Sequence, residues 1–122
     1  MKVVITGSRA WDDEWLFDVI IGGLLQQLKD EHKPFIVAHG GNRSGADRMA
    51  QEWADIFPVV RYPADWEKYG KAAGPRRNKF MLEDFLPDLV LAFFWHAGEN
   101  RGTQDCVDKA RLMGIRVVEV RA

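Results

Sequence analysis

The sequence has one cysteine, Cys106, and three histidines. A single cysteine cannot form an internal disulfide, and the chain shows no Cys or His spacing typical of a zinc site. We therefore expect a reducing compartment, the cytoplasm, with no bound metal. An excess of positive charge is also missing, since the formal net charge is −1. Proteins that coat nucleic acids usually carry a basic excess, so we rank a nucleic-acid role last.

Long apolar runs are absent too. No stretch approaches the roughly 20 apolar residues of a membrane-spanning helix. Met1 and Lys2 lead directly into a short strand pattern rather than into a signal peptide. The chain has 122 residues, of which 47% are hydrophobic, and it contains no repeat, low-complexity tract or linker. These features predict one soluble domain over residues 1–122, without contact to a membrane.

Apolar, β-branched runs alternate with segments of helical periodicity. We predict strands at residues 2–6, 35–39, 59–62, 89–95 and 115–120, helices at 13–29, 44–56, 76–86 and 103–113, and a long loop at 63–74. The alternation predicts an α/β fold, a Rossmann-like doubly wound parallel sheet of five strands in the order 3-2-1-4-5 with helices on both faces. Trp15, Trp53 and Cys106 are expected in the core.

Three glycine-bearing turns each follow a predicted strand and open a predicted helix. They lie at residues 6–9, 39–47 and 100–103. Glycine permits a close approach of the main chain, and the helix behind each turn offers unpaired amides to a phosphate. Strands two, one and four are neighbours in the predicted order, so we expect the three turns to converge on one crevice.

The ligand-binding candidates lie in these turns and in the basic loop after strand three. In the turns they are Gly7, Ser8, Arg9, Trp11, His39, Gly40, Gly41, Arg43, Gly45, Ala46, Gly102 and Thr103, and after strand three they are Trp66, Lys71, Arg77 and Asn78. Amides, hydroxyls and guanidinium groups would hold phosphate, and tryptophan would stack on a base. The plainer alternatives are turn glycines, helix caps, core side chains and surface ion pairs.

Two carboxylates are the catalytic candidates. Asp47 and Asp65 could each orient or deprotonate a water molecule, or accept hydrogen bonds from ribose. Asp47 also suits the first turn of a helix, where it would interact favourably with the helix dipole. Neither role requires a cofactor, and a nucleotide would be the ligand.

Three segments taken together resemble a known family. They are Gly7-Ser8-Arg9-Ala10-Trp11, His39-Gly40-Gly41 with Gly45-Ala46-Asp47, and residues 70–78. They resemble the SLOG superfamily, specifically its YspA-like branch, which implies a Rossmann-like fold and a nucleotide-derived ligand. The related LOG-type phosphoribohydrolases use a glutamate after a glycine-threonine turn. Here Gly102-Thr103 is followed by residues 104–106, which include no glutamate.

The leading hypothesis is a domain that binds a nucleotide-derived ligand, such as a nucleoside phosphate, ADP-ribose or an NAD-like molecule, as a sensor or a sink. The first alternative is a hydrolase of an N-glycosidic or phosphate bond in a nucleotide. The second is a nucleic-acid accessory protein, because DprA-like proteins share the fold. The sequence does not specify which base or sugar is recognised, nor whether the protein forms a homodimer.

Overall fold

Five parallel strands form one sheet in the order β3-β2-β1-β4-β5 in the computed structural model, which describes residues Met1–Ala122. The strands are β1 (Lys2–Gly7), β2 (Ile36–His39), β3 (Val59–Arg61), β4 (Leu89–Phe94) and β5 (Arg116–Arg121). β4 lies inside the sheet and all six of its residues are buried, which explains its continuous apolar run. The predicted fold class and strand order are confirmed.

Helices cover both faces of the sheet. They are α1 (Glu14–Asp30), α2 (Gly45–Gln51), α3 (Trp66–Tyr69), α4 (Ala73–Phe85) and α5 (Arg101–Leu112), with a 3₁₀ turn at Gly70–Ala72. One core cluster joins α1 and α2 to the sheet, for example through Phe17 and Met49. A second cluster joins α4 and α5 to the opposite face through Leu82 and Cys106. None of these helices is both long and apolar enough to cross a bilayer.

The predicted loop at residues 63–74 contains a short helix. Asp65 begins α3, because its Oδ1 accepts a hydrogen bond from the amide of Lys68 at 3.0 Å. α4 begins at Ala73, earlier than predicted, and Pro75 lies in its first turn, where a missing amide donor leaves no helix bond unmade. The prediction failed here because α3 buries no side chain and so has no apolar stripe.

The second predicted helix is shorter than expected. α2 ends at Gln51 rather than at residue 56. After it, the amides of Trp53 and Ala54 bond to carbonyls three residues back, at 3.1 Å each, which tightens the chain into turns.

Trp15 was wrongly expected in the core. Its side chain is 74% exposed, whereas Phe17, Ile21 and Leu28 form the buried stripe of α1. Apolar residues lie on both sides of this helix, so periodicity alone selected the wrong side. Trp53 is half-buried and packs against the core, and Cys106 is fully buried as predicted.

Candidate functional site

A cleft of about 750 Å³ opens at the carboxyl edge of the sheet, beside the point where the strand order reverses between β1 and β4. Its walls come from the β1–α1 turn, the start of α4, the N-terminus of α5 and the segment after β4. The predicted residues that line it are Gly7, Ser8, Arg9, Gly40, Asp47, Trp66, Lys71, Arg77, Asn78, Gly102 and Thr103. The structure thus brings residues from all three glycine turns and the basic loop together.

Some predicted site residues lie outside this cleft. They are Trp11, His39, Gly41, Arg43, Gly45, Ala46 and Asp65. Trp11 is only 2% exposed, and its ring packs edge-on against Phe93 at 5.0 Å and Trp95 at 5.5 Å between centroids. Its indole belongs to the core and has no free face for a base. The carboxylate of Asp65 caps α3.

Two of the glycines allow the close packing of α2. A Cβ on Gly7 would lie 2.7 Å from the Cβ of Ala46. Gly45 has a φ of +66°, and a Cβ there would lie 2.8 Å from the Cα of Arg9. These glycines and Ala46 therefore shape the cleft by bringing α2 against β1 and the turn that follows it.

Two amides in the turn after β2 are occupied by side chains of the protein. The amide of Gly41 donates to His39 Nδ1 at 2.9 Å, and the amide of Asn42 donates to Asp47 Oδ2 at 3.2 Å. Both donors are satisfied by the protein's own side chains, so neither is available to a ligand.

His39 stabilises this turn through hydrogen bonds at both of its ring nitrogens. Because Nδ1 accepts from an amide, the ring proton must reside on Nε2, which donates to Gln51 Oε1 at 2.7 Å. The imidazole is buried and both ring nitrogens are used. His39 is therefore a structural residue of the β2–α2 turn.

Asp47 places a carboxyl group in the wall of the cleft. Its side chain is 3% exposed, and burial raises the pKa of this carboxyl above its usual value. The charge of Arg77 and the hydrogen bond from the amide of Asn42 lower the pKa, but burial outweighs them. A carboxyl group with a raised pKa binds and releases its proton at a higher pH than an exposed aspartate does.

Arg77 is a cation without an anionic contact. Its half-buried guanidinium donates from Nη1 to the carbonyls of Gly40 and Tyr62 and from Nε to Asn78 Oδ1, and it forms no ion pair. Burial lowers the pKa of Arg77, against the opposing charge of Asp47. Nη2 has no acceptor within the protein. Every fully buried side-chain nitrogen in the structure has a hydrogen-bond partner, so Nη2 is not fully buried and remains accessible.

Asn78 joins Arg77 to the N-terminus of α5. Its Oδ1 accepts from Arg77, while its Nδ2 donates to the carbonyl of Gly102 at 3.1 Å and to Asp105 at 3.0 Å. All of its polar atoms are thereby bound within the protein. Asn78 positions its neighbours and has little capacity left for a ligand.

The N-terminus of α5 faces the same cleft. The amides of Gly102 and Thr103 have no acceptor within the protein, as expected for the first turn of a helix. Around Gly102 the space is open, because a Cβ there would meet no atom within 4 Å. This helix end, with its partial positive charge, is suited to an anion.

Basic and aromatic groups form the rim. Arg9 Cζ lies 5.5 Å from the ring centroid of Trp66, across the mouth of the cleft. Lys71 and Arg101 add two further cations to the lining, and Arg101 is paired with Glu99 at 3.3 Å. The cleft is therefore locally basic in a chain that is nearly neutral overall.

Sequence reasoning missed the segment after β4. Ala97, Gly98 and Glu99 line the cleft, as does Asn42. A Cβ on Gly98 would lie 2.9 Å from the Cβ of Ala10, so this glycine lets the segment approach the β1–α1 turn. The segment Ala97–Glu99 follows β4 closely, at the switch point of the predicted sheet, and this position was a signal that could have identified it.

Comparison with known proteins agrees with this architecture. The chain is 36% identical over 125 residues to the gene 61 protein of Mycobacterium phage D29, covering 96% of this chain and 94% of the phage protein. No solved structure matches. The model of the YspA, cpYpsA-related SLOG family matches residues 1–69, which contain the first two glycine turns and Trp66. The chain belongs to the YspA, cpYpsA-related SLOG family.

Proposed function

We propose that the cleft binds a nucleotide-derived ligand, such as a nucleoside phosphate, ADP-ribose or an NAD-like molecule, and that the protein acts as a sensor or a sink. The observation that carries the proposal is Arg77, a half-buried cation that contacts only neutral acceptors and keeps Nη2 accessible. An anionic ligand would form the direct ion pair that Arg77 lacks within the protein.

Two further features favour phosphate as the anion. The free amides of Gly102 and Thr103 lie near Arg77 through the bridge of Asn78, and helix amides together with a guanidinium are a common phosphate site. Trp66 on the rim offers a flat apolar surface for a base. The volume of about 750 Å³ lies within the range of small-molecule sites, roughly 300 to 1,000 Å³.

In this proposal the phosphate is held by Arg77 and the start of α5. The amides of Gly41 and Asn42 take no part, because His39 and Asp47 accept from them. Gly7 and Gly45 act through packing. Membership in the SLOG family suggests a nucleotide-related function in general terms.

Calorimetric titration tests the proposal. The probes are adenosine 5′-monophosphate, ADP-ribose and NAD, with adenosine as the matched ligand that lacks phosphate. We expect the phosphate-bearing probes to bind at least about tenfold more tightly than adenosine, a difference of about 1.4 kcal/mol. If none binds, or if adenosine binds equally well, the proposal fails.

The buried carboxyl of Asp47 favours a second candidate, hydrolysis of an N-glycosidic or phosphate bond. Its raised pKa and its place in the cleft wall suit a general base that accepts a proton from water. Asp65 lies outside the cleft and has no support in this role. Chromatography of incubated nucleotides would detect released base or phosphate. An unchanged rate in Asp47→Asn, or no product from the wild type, would contradict this candidate.

A further inference from the structure

A second groove, of about 320 Å³, adjoins the cleft. It is lined by Pro63, Asp65, Tyr69, Ala73, Arg76, Arg77 and Phe80. Arg77 is the one residue that lines both cavities. A ligand whose anionic part contacts Arg77 can therefore extend from the cleft into the groove.

The short helix α3 provides one aromatic ring for each cavity. Trp66 lines the cleft, and Tyr69, three residues later, lines the groove. Each ring lies near a guanidinium, because Arg9 Cζ is 5.5 Å from the Trp66 centroid and Arg76 Cζ is 4.5 Å from the Tyr69 centroid. The two cavities thus repeat the same pair of groups, an aromatic ring with an arginine.

The groove has exposed aromatic surface. Tyr69 is 37% exposed, and Phe80 on α4 is 59% exposed. Arg76 Cζ and Lys68 Nζ lie 4.5 and 5.1 Å from the Tyr69 centroid, and Phe80 packs edge-on against Tyr62, so the remaining exposed part of each ring is what a ligand can contact. Exposed aromatic rings beside arginine are the groups on which nucleic-acid bases stack in proteins.

We propose that the groove binds the second base of a dinucleotide, whose pyrophosphate passes Arg77 while its first base lies beside Trp66. This inference rests on the proposed function of the cleft and names the class of its ligand. Arg77 lines both cavities, while Trp66 lines the cleft and Tyr69 lines the groove, which matches the order base, pyrophosphate, base.

A matched pair of probes tests the second subsite. Diadenosine pyrophosphate and ADP-ribose share an adenosine, a pyrophosphate and a second ribose, and they differ in the second base. Stacking of one base on an aromatic side chain contributes roughly 1 to 3 kcal/mol. We therefore expect diadenosine pyrophosphate to bind about 5- to 150-fold more tightly in calorimetry.

Variants then assign this difference to the groove. Tyr69→Leu removes an exposed ring and should reduce the difference between the two probes to less than about threefold, whereas Tyr69→Phe should retain it. Leu112→Ala is the control, because Leu112 is exposed and lines neither cavity. Circular dichroism confirms that each variant is folded.

The outcomes separate this inference from the function on which it rests. If ADP-ribose binds and diadenosine pyrophosphate binds no more tightly, the second subsite is refuted while the cleft proposal stands. A difference that persists in Tyr69→Leu also refutes it. If neither of these probes binds, the second subsite is refuted, and if adenosine 5′-monophosphate and NAD also fail to bind, the cleft proposal fails with it. A ten-residue single-stranded DNA that binds more tightly than diadenosine pyrophosphate would refute a free dinucleotide as the ligand.

Discussion

Replacing Arg77 by methionine should weaken both ligand binding and the fold, and the two losses can be measured separately. Methionine keeps most of the length of the apolar stem but removes the guanidinium. In the wild type this group donates to the carbonyls of Gly40 and Tyr62 and to Asn78. The variant therefore loses three internal hydrogen bonds and the accessible Nη2 together.

The losses of stability and of binding have separate physical causes. A carbonyl left without its donor costs about 1 to 3 kcal/mol, but the variant no longer has to keep a charge partly out of water, which offsets part of that loss. We expect the free energy of unfolding to fall by about 1 to 3 kcal/mol. A hydrogen bond between a guanidinium and phosphate contributes about 1.5 to 3 kcal/mol, so the Kd for ADP-ribose should rise roughly 10- to 150-fold.

Calorimetry with ADP-ribose at 0.15 M salt, combined with urea unfolding, measures both quantities. Arg43→Met is the matched control, because Arg43 is an exposed arginine of the β2–α2 turn that lines neither cavity. It should leave the Kd within about twofold of the wild type. A folded Arg77→Met variant that binds ADP-ribose as tightly as the wild type would refute the reasoning.

Three further predictions concern the fold and its titrating groups. Burial raises the pKa of Asp47 in the folded state above its usual 3.8. The folded state therefore holds the Asp47 proton more tightly than the unfolded chain does. The resulting stabilisation is complete below pH 3.8 and is lost as the pH rises through the folded-state pKa. Across that window wild-type stability should fall by up to about 1.4 kcal/mol per pH unit relative to Asp47→Asn in urea unfolding, and a constant difference would contradict the assignment. Gly45 has a φ of +66° and faces the Arg9 backbone, so Gly45→Ala should lower the free energy of unfolding by about 1 to 2 kcal/mol or more. Gly23 lies in open space on α1, so Gly23→Ala should raise the free energy of unfolding by about 0.5 to 1 kcal/mol. Equal effects of the two substitutions would be inconsistent with this packing. Burial raises the pKa of Cys106 to about 12, so the native thiol should not react with a disulfide reagent at pH 8 and should react once urea unfolds the chain, whereas rapid native reaction would show that Cys106 is accessible.

The sheet could be predicted from the sequence because its strands have strong local signals. β4 is apolar throughout and β1 contains the buried apolar run Val3-Val4-Ile5, and the helical segments between strands require right-handed crossovers, which limits the possible orders. The strand order then places the turns after β1, β2 and β4 at one edge. The residues that line the cleft were therefore found largely by topology.

The availability of individual donors could not be predicted in the same way. Whether the amides of Gly41 and Asn42 are free depends on the rotamers of His39 and Asp47, which no pattern of residue types specifies. The lack of a direct ion pair at Arg77 is likewise a property of the packed structure. Trp11 lies just after the first glycine turn in the sequence, where a ligand-binding residue is expected. In the structure its ring packs against Phe93 in the core.

A crystal structure of the protein with bound diadenosine pyrophosphate is the most direct test. We predict density for the pyrophosphate within hydrogen-bonding distance of Arg77 Nη2 and of the amides of Gly102 and Thr103. Pyrophosphate bound on another face of the protein, with the cleft holding only water, would contradict the assignment of this cleft as the nucleotide site.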